Sequence, residues 1–390
     1  MDDALYITMY STEDSPYDPC AELGLPATEY EIQDSFQKAI SWDGDKVSMN
    51  IDSCGRFGFL KSCLDEVNDV YALNALAKKL ISLRDWQVDA LEGLVTMDRR
   101  AKAKIDLPRI YDLASSVDSC QVLYDVTDYD SVGRFYVEND MLPELEEMSD
   151  EALKLLNYDE IGKRIEAQGD GTLIGRRGYV ALIGDIHEEY KELDLTPREP
   201  DYTALLEVTG AESGQSALLK LPCDRAAIDD VRTQLGANDL SDLSWRCVDC
   251  LVPALRDAFS QEDNIGYANH AAKQLRDLPK KDLLAYKALI GATLCPDLPC
   301  AMKLMGDMSS YDFVRAYRSP EAVALGELKY LLEDYDRSIL RPCVNLHKYG
   351  ELLIEEQNIS MTPYGSIERK DGEPIKSMRQ EPQMGGMSMM

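Results

Sequence analysis

Five segments from the first half of this chain return in the second half, in the same order. "ALYITMY" (4–10) is answered by "ALLEVTG" (204–210), and "LGLPATEYEI" (23–32) by "LKLPCDRAAI" (219–228). "NALAKKLISL" (74–83) pairs with "NHAAKQLRDL" (269–278), "DLPRIYDL" (106–113) with "DLPCAMKL" (297–304), and "NYDEIGKRI" (157–165) with "NLHKYGELL" (345–353). The offset drifts from 200 to 188, so the second copy is the shorter one. A chain of 390 residues is also too long for one ordinary core. The repeat predicts two homologous units at 1–195 and 203–368, joined at 196–202 inside the polar stretch "KELDLTPREPDYT". Residues 369–390 are Met-rich and aperiodic, and are expected to form a disordered tail.

Each unit reads as α+β. Residues 4–10 alternate as a strand and "EYEIQDSFQKAI" (29–40) reads as a short helix. Leu73, Leu76, Ala77, Leu80 and Ile81 form one apolar stripe at helical spacing over 70–81. A second helix over 84–97 follows at once, and the two are expected to pair as an antiparallel hairpin. Ile110, Leu113, Ala114 and Val117 mark a further helix, Ser149 and Asn157 are candidate helix caps, and "TLIGRRGYVAL" after Gly169 and Gly171 reads as a closing hairpin.

Charge is distributed unevenly over this frame. The chain carries 71 acidic against 41 basic residues, a formal net charge of −30. Residues 1–200 hold 42 acids and 20 bases, and residues 201–390 hold 29 and 21. Within 106–160 there are 15 acids against Arg109, Arg134 and Lys154. Asp125, Asp128, Asp130, Glu138, Asp140, Glu144, Glu146, Glu147, Asp150, Glu151, Asp159 and Glu160 are therefore the candidate partner-binding surface. Some of them start helices, where the dipole favours carboxylates. The rest repel one another unless a basic partner takes their charge. Direct binding to nucleic acid or to an anionic membrane is not expected, because their phosphates would be repelled.

Chemistry is hard to find in the sequence. The three histidines, His187, His270 and His347, stand apart from any cysteine pair, and "CVDC" (247–250) lacks the second pair that a structural zinc would need. "GDGTLIGRRG" (169–178) has glycines but no Gly-Lys-Ser/Thr, so a turn is the better reading. No catalytic residue, metal or cofactor is assigned. The opening "MDDALYITMY" has no basic and apolar leader, and no run of about 18 apolar residues is present. A cytoplasmic, non-enzymatic protein with reduced thiols is expected.

The run 126–180, "VTDYDSVGRFYVENDMLPELEEMSDEALKLLNYDEIGKRIEAQGDGTLIGRRGYV", resembles the C-terminal part of ArdA-type antirestriction proteins. Gly133, Arg134, Tyr136, Tyr158, Gly162 and Tyr179 occupy the matching positions, and "ALYITMYST" with "LPATEYEIQDSF" resembles the family's opening strand and first helix. The resemblance implies an elongated, multi-part α+β rod, each unit having small antiparallel sheets around a helical middle. It also implies a usually dimeric inhibitor without enzymatic activity. Such a protein mimics B-form DNA, occupies the DNA groove of a Type I restriction–modification enzyme and protects mobile-element DNA. The alternative is an acidic interaction module of a conjugative element that binds another basic DNA-binding protein. The chain departs from the family in having two units. In the second, "SVGRFYVEND" becomes "ALGELKYLLE", and residues 301–350 hold seven acids and seven bases. The first unit is expected to be the mimic, and the second a dimerisation or spacer copy.

Overall fold

The computed structural model describes residues 3–11, 20–40, 46–102, 104–145, 148–153, 155–262, 264–333 and 343–378. The first half runs β1 (Leu5–Ser11), β2 (Cys20–Leu25), α1 (Glu29–Ala39), β3 (Val47–Ser53), α2 (Lys61–Leu64), α3 (Val70–Ile81) and α4 (Asp85–Ala101). It continues through α5 (Leu107–Ser115), β4 (Cys120–Leu123), α6 (Tyr129–Glu138), α7 (Asp150–Leu153), α8 (Tyr158–Gln168), β5 (Gly171–Leu173) and β6 (Tyr179–Leu182). The second half runs β7 (Ala204–Gly210), β8 (Ser216–Leu221), α9 (Arg225–Gln234), β9 (Leu243–Cys250), α10 (Arg256–Gln261), α11 (Ile265–Asp277) and α12 (Lys280–Thr293). It closes with α13 (Leu298–Gly306), β10 (Tyr311–Val314), α14 (Pro320–Leu331), α15 (Leu346–Glu356), β11 (Ser360–Thr362) and β12 (Gly365–Arg369).

The repeat in the sequence is a repeat of architecture. Three-stranded sheets ordered β2-β1-β3 and β8-β7-β9 open the two halves, and sheets ordered β4-β6-β5 and β10-β12-β11 close them. The peptide bonds before Pro26 and Pro222 are both cis. Thr28 and Asp224, two residues after those prolines, cap α1 and α9 through hydrogen bonds from the N–H of Glu31 and Ala227. Asp106 and Asp297 cap α5 and α13 in the same way, each with a proline in the first turn. The fold is α+β. One pairing within the repeat needs correction. Gly133 stands five residues after its cap, Asp128, whereas Gly326 stands seven after Ser319, so fully buried Ala324 takes the Gly133 position.

The helical middle differs from expectation in one respect. α3 makes its main contact with α5, which also packs on α4, in place of an antiparallel hairpin of α3 with α4. Buried Leu107, Ile110, Leu113 and Ala114 crowd one side of α5 and let it serve both neighbours. The closing hairpin reads as expected, with Thr172 opposite Val180 and Leu173 opposite Tyr179. Residues 370–378 have no strand or helix, yet they are not a loose tail. Ile375 packs on the core of the second half, and the Met378 N–H donates to the Thr293 carbonyl at 2.7 Å. Residues 379–390 lie outside the described residues.

The contacts divide the chain into two compact units. One holds Met1–Ile7, Gly24–Pro26 and Met49–Pro197, and the other holds Thr8–Leu23, Ala27–Ser48 and Arg198–Met390. Helix α1 thus belongs by sequence to the first repeat and by contacts to the second unit. Asp34, 2% exposed, fixes it there. Its carboxylate accepts from Lys287 Nζ at 2.6 Å and from the Tyr364 hydroxyl at 2.9 Å, and pairs with Lys38 at 2.8 Å. Gln37 Oε1 accepts from Lys287 at 2.8 Å, Thr28 Oγ1 donates to Asp249 at 2.7 Å, Glu31 pairs with Arg256, and Arg318 donates to the carbonyls of Gln37 and Lys38. Burial alone would raise the Asp34 carboxyl, but the Lys287 and Lys38 ammoniums outweigh it and hold it below the ordinary range.

Candidate partner-binding surface

Among the described residues, the acids nominated by the sequence lie on the turn before α6, on α6 and α8, and on the segment between those helices. Both helices begin with a good cap: Asp128 accepts from the Ser131 N–H at 2.8 Å and Asn157 from the Glu160 N–H at 3.4 Å. The bond from Ser131 holds the Asp128 carboxyl below its ordinary range. The helices then cross so closely that only glycine fits. A Cβ on Gly133 would lie 2.0 Å from the Tyr158 carbonyl oxygen, and one on Gly162 would lie 2.0 Å from that of Tyr129. These reciprocal contacts make the crossing antiparallel and overlap the two first turns. Two positive helix ends therefore meet where Asp128, Asp130, Asp159 and Glu160 are clustered, which offsets part of their mutual repulsion.

The cluster is held from below by aromatic and ionic contacts. Tyr179 is fully buried and meets the Tyr136 ring edge-to-face at 6.3 Å, within a small core of Val126, Val132, Ile165 and Ala181. The Arg134 guanidinium lies over the Tyr158 ring at 4.5 Å. Glu166, which the sequence reading missed, ties α8 to its neighbours. It accepts from Tyr129 Oη at 2.7 Å and from Arg100, Thr172 Oγ1 and the Leu173 N–H, each at 3.0 Å. Burial pushes its carboxyl up, but the Leu173 N–H, the Tyr129 hydroxyl and the Arg100 guanidinium outweigh that and hold it below the ordinary glutamate range. Its position inside α8 gives no sequence signal, because only the fold brings the donors together.

The structure sorts the nominated acids into groups. Asp130 pairs with Arg134 at 2.7 Å, Glu144 with Arg164 at 2.7 Å, and Asp159 and Glu160 with Lys163 at 2.7 and 3.2 Å. Asp125, Glu138 and Asp140 are exposed and have no ion pair among the described residues. Glu146 and Glu147 lie outside the described residues, and Asp150 and Glu151 fall in α7, which starts at the Ser149 cap as expected. The surface is thus less uniformly negative than its sequence, because α8 supplies Lys163 and Arg164. Those pairs are open to water and contribute little to stability, so a cationic partner can break them at little cost.

Other places for chemistry are occupied by structure. Cys247 and Cys250 are buried, and their thiols donate to the carbonyls of Asp249 and Val252. Among the described residues no three His, Cys, Asp or Glu side chains converge as metal ligands. A cavity of about 870 Å³ opens beneath α9, between Ile228, Leu243, Trp245 and Ile265. Three of its polar side chains serve the fold: Trp245 Nε1 donates to the Phe259 carbonyl, Asn269 bonds both ways with the Cys223 backbone, and Asn264 caps α11. No helix among the described residues is long and apolar enough to cross a membrane. Compared with protein-family models and with curated proteins, the chain matches none.

Proposed function

We propose that this chain is an ArdA-like antirestriction protein, a non-enzymatic cytoplasmic DNA mimic that blocks the DNA groove of a Type I restriction–modification enzyme. The observation that carries the reading is the concentration of 15 acids against three bases in residues 106–160, several of which, among them Asp128, Asp130, Asp159 and Glu160, lie at a helix crossing whose geometry depends on glycine. The residues on which the resemblance rests support it by coming together. Gly133, Gly162, Tyr158 and Arg134 make the α6–α8 crossing, and Tyr136 packs on Tyr179 beneath it.

The physics fits a phosphate imitation. Duplex DNA carries one charge per ~1.7 Å of axis. On and around α6, Asp125, Asp128, Asp130, Glu138 and Asp140 stand against the single base Arg134, so this segment keeps a net negative charge that a basic groove would attract. Association would be steered by charge and weakened by salt.

The test is a cleavage assay with unmodified duplex and a purified Type I complex. Near-stoichiometric amounts of the chain are expected to stop cleavage, and an Asp125→Lys/Glu138→Lys/Asp140→Lys variant is expected to lose most of that effect. Undiminished cleavage by a complex saturated with the wild-type chain would reject the reading. The surface would then belong to an interaction module for some other basic DNA-binding protein.

A further inference from the structure

Three sulfurs meet at the turn between α12 and α13. The Cys300 thiol donates to the Met378 thioether at 3.0 Å. The Cys295 thiol interacts with that of Cys300 and donates to the Asp297 carbonyl at 3.3 Å. Both cysteines are partly exposed and Met378 is 38% exposed, so the cluster can be reached from water.

The backbone that carries these sulfurs is fixed. Leu294 ends α12 in the left-handed region, with φ of 50°, and turns the chain at Cys295. Asp297 then caps α13 by accepting from the Cys300 N–H at 2.8 Å, which sets both thiols around one cap. Fully buried Leu298 and Ala301 seat α13 on the core, and the Tyr286 hydroxyl of α12 donates to the Ala301 carbonyl at 2.9 Å. Met378 arrives from beyond the last strand, held by its N–H on the Thr293 carbonyl at 2.7 Å and by Ile375 packed on the core. The first copy has different chemistry here. Counted from the caps Asp106 and Asp297, Lys104 and Arg109 stand where Cys295 and Cys300 stand, and they pair with Glu66 and Asp98. On one scaffold, two cations in the first copy correspond to two thiols in the second.

Two thiolates and a thioether make a soft, three-coordinate donor set. Among the described residues no third His, Cys, Asp or Glu joins the two thiols. A structural zinc takes four donors of those kinds, whereas thiolate and thioether together select Cu(I). We propose that Cys295, Cys300 and Met378 bind one Cu(I) ion per chain. Binding releases both thiol protons to water and leaves the oxidation state of the copper unchanged, so the loaded site carries one net negative charge. Because Met378 supplies the third bond, the ion also clamps residues 370–378 to the α12–α13 turn. This inference does not depend on the antirestriction reading.

The test is anaerobic competition for Cu(I) between the reduced full chain and a bicinchoninate chelator, read at the tightest equivalent because the chain has ten cysteines in all. The wild type is expected to withhold one equivalent. Cys295→Ser and Cys300→Ser should each weaken that equivalent more than about a hundredfold, beyond the loss of an outer-shell contact, and Met378→Leu about tenfold. Met378→Leu keeps the apolar bulk and should melt as the wild type does, and Met378→His, which restores a donor, should recover affinity. X-ray absorption should show three sulfurs on copper in the wild type and two in Met378→Leu. A Cys295→Ser/Cys300→Ser double variant that holds Cu(I) as tightly as the wild type would mean adventitious binding to other thiols only, and would overturn the proposal. So would a Met378→Leu variant equal to the wild type in both affinity and sulfur count.

Discussion

Glu166 shows how much of this molecule rests on acids that no partner will touch. It is 9% exposed and satisfied by four donors, so it belongs to the frame and not to the display. Glu166→Gln removes the charge and forces the amide N–H₂ among donors, and is expected to cost roughly 2 kcal/mol in a denaturant titration. Because its carboxyl is held below the ordinary value, the stability it contributes is present above that value and lost as pH falls through the lower folded-state value. The gap between wild type and Glu166→Gln should therefore narrow in acid, and a gap independent of pH would contradict this role. Asp34 and Lys287 make a second internal pair, with side chains 3% and 2% exposed. Lys287→Met leaves the buried carboxylate with only Lys38 and the Tyr364 hydroxyl, and is expected to destabilise the second unit by up to about 3 kcal/mol in thermal or denaturant melts. Neither role was legible in the sequence. An Asp and a Lys more than two hundred residues apart look like surface residues until the fold makes them neighbours.

At the scale of elements, local chemistry was easier to read. The helices at 29–39, 70–81 and 107–115 follow from their apolar spacing, and the Asn157 cap and closing hairpin follow from short-range signals. Partner choice was not readable from such signals. The α3 stripe faces α5, although α4 is its neighbour in sequence, and α1 and α9 share cap and periodicity but differ in burial. Periodicity reports which face is apolar, not what will cover it. The α6–α8 crossing lies between these cases, since Gly133 and Gly162 could be noticed but not paired. Gly162→Val places its branched side chain against the Tyr129 carbonyl and should separate the helices. A loss of several degrees in melting temperature, together with lost protection of the α6 and α8 amides in hydrogen exchange, is the expected result. Wild-type protection in that variant would mean that the close approach does not matter.

For the whole molecule, the repeat predicts two units with one architecture, and both halves do carry the same sheets in the same order. Charge is what separates them: the first half keeps 42 acids against 20 bases, while the second is near balance from 301 to 350. Under the proposed function this difference is a division of labour, with the acidic display carried by the first unit. Its central claim is that the acidic surface competes with DNA for a basic groove. The most direct measurement is displacement of a labelled duplex from a Type I restriction–modification complex by the purified chain at low and at moderate salt. Displacement is expected at low salt and should weaken as salt rises, and the Asp125→Lys/Glu138→Lys/Asp140→Lys variant should lose it. A duplex that stays bound at low salt in the presence of excess wild-type chain, or a variant that displaces it equally well, would contradict the claim.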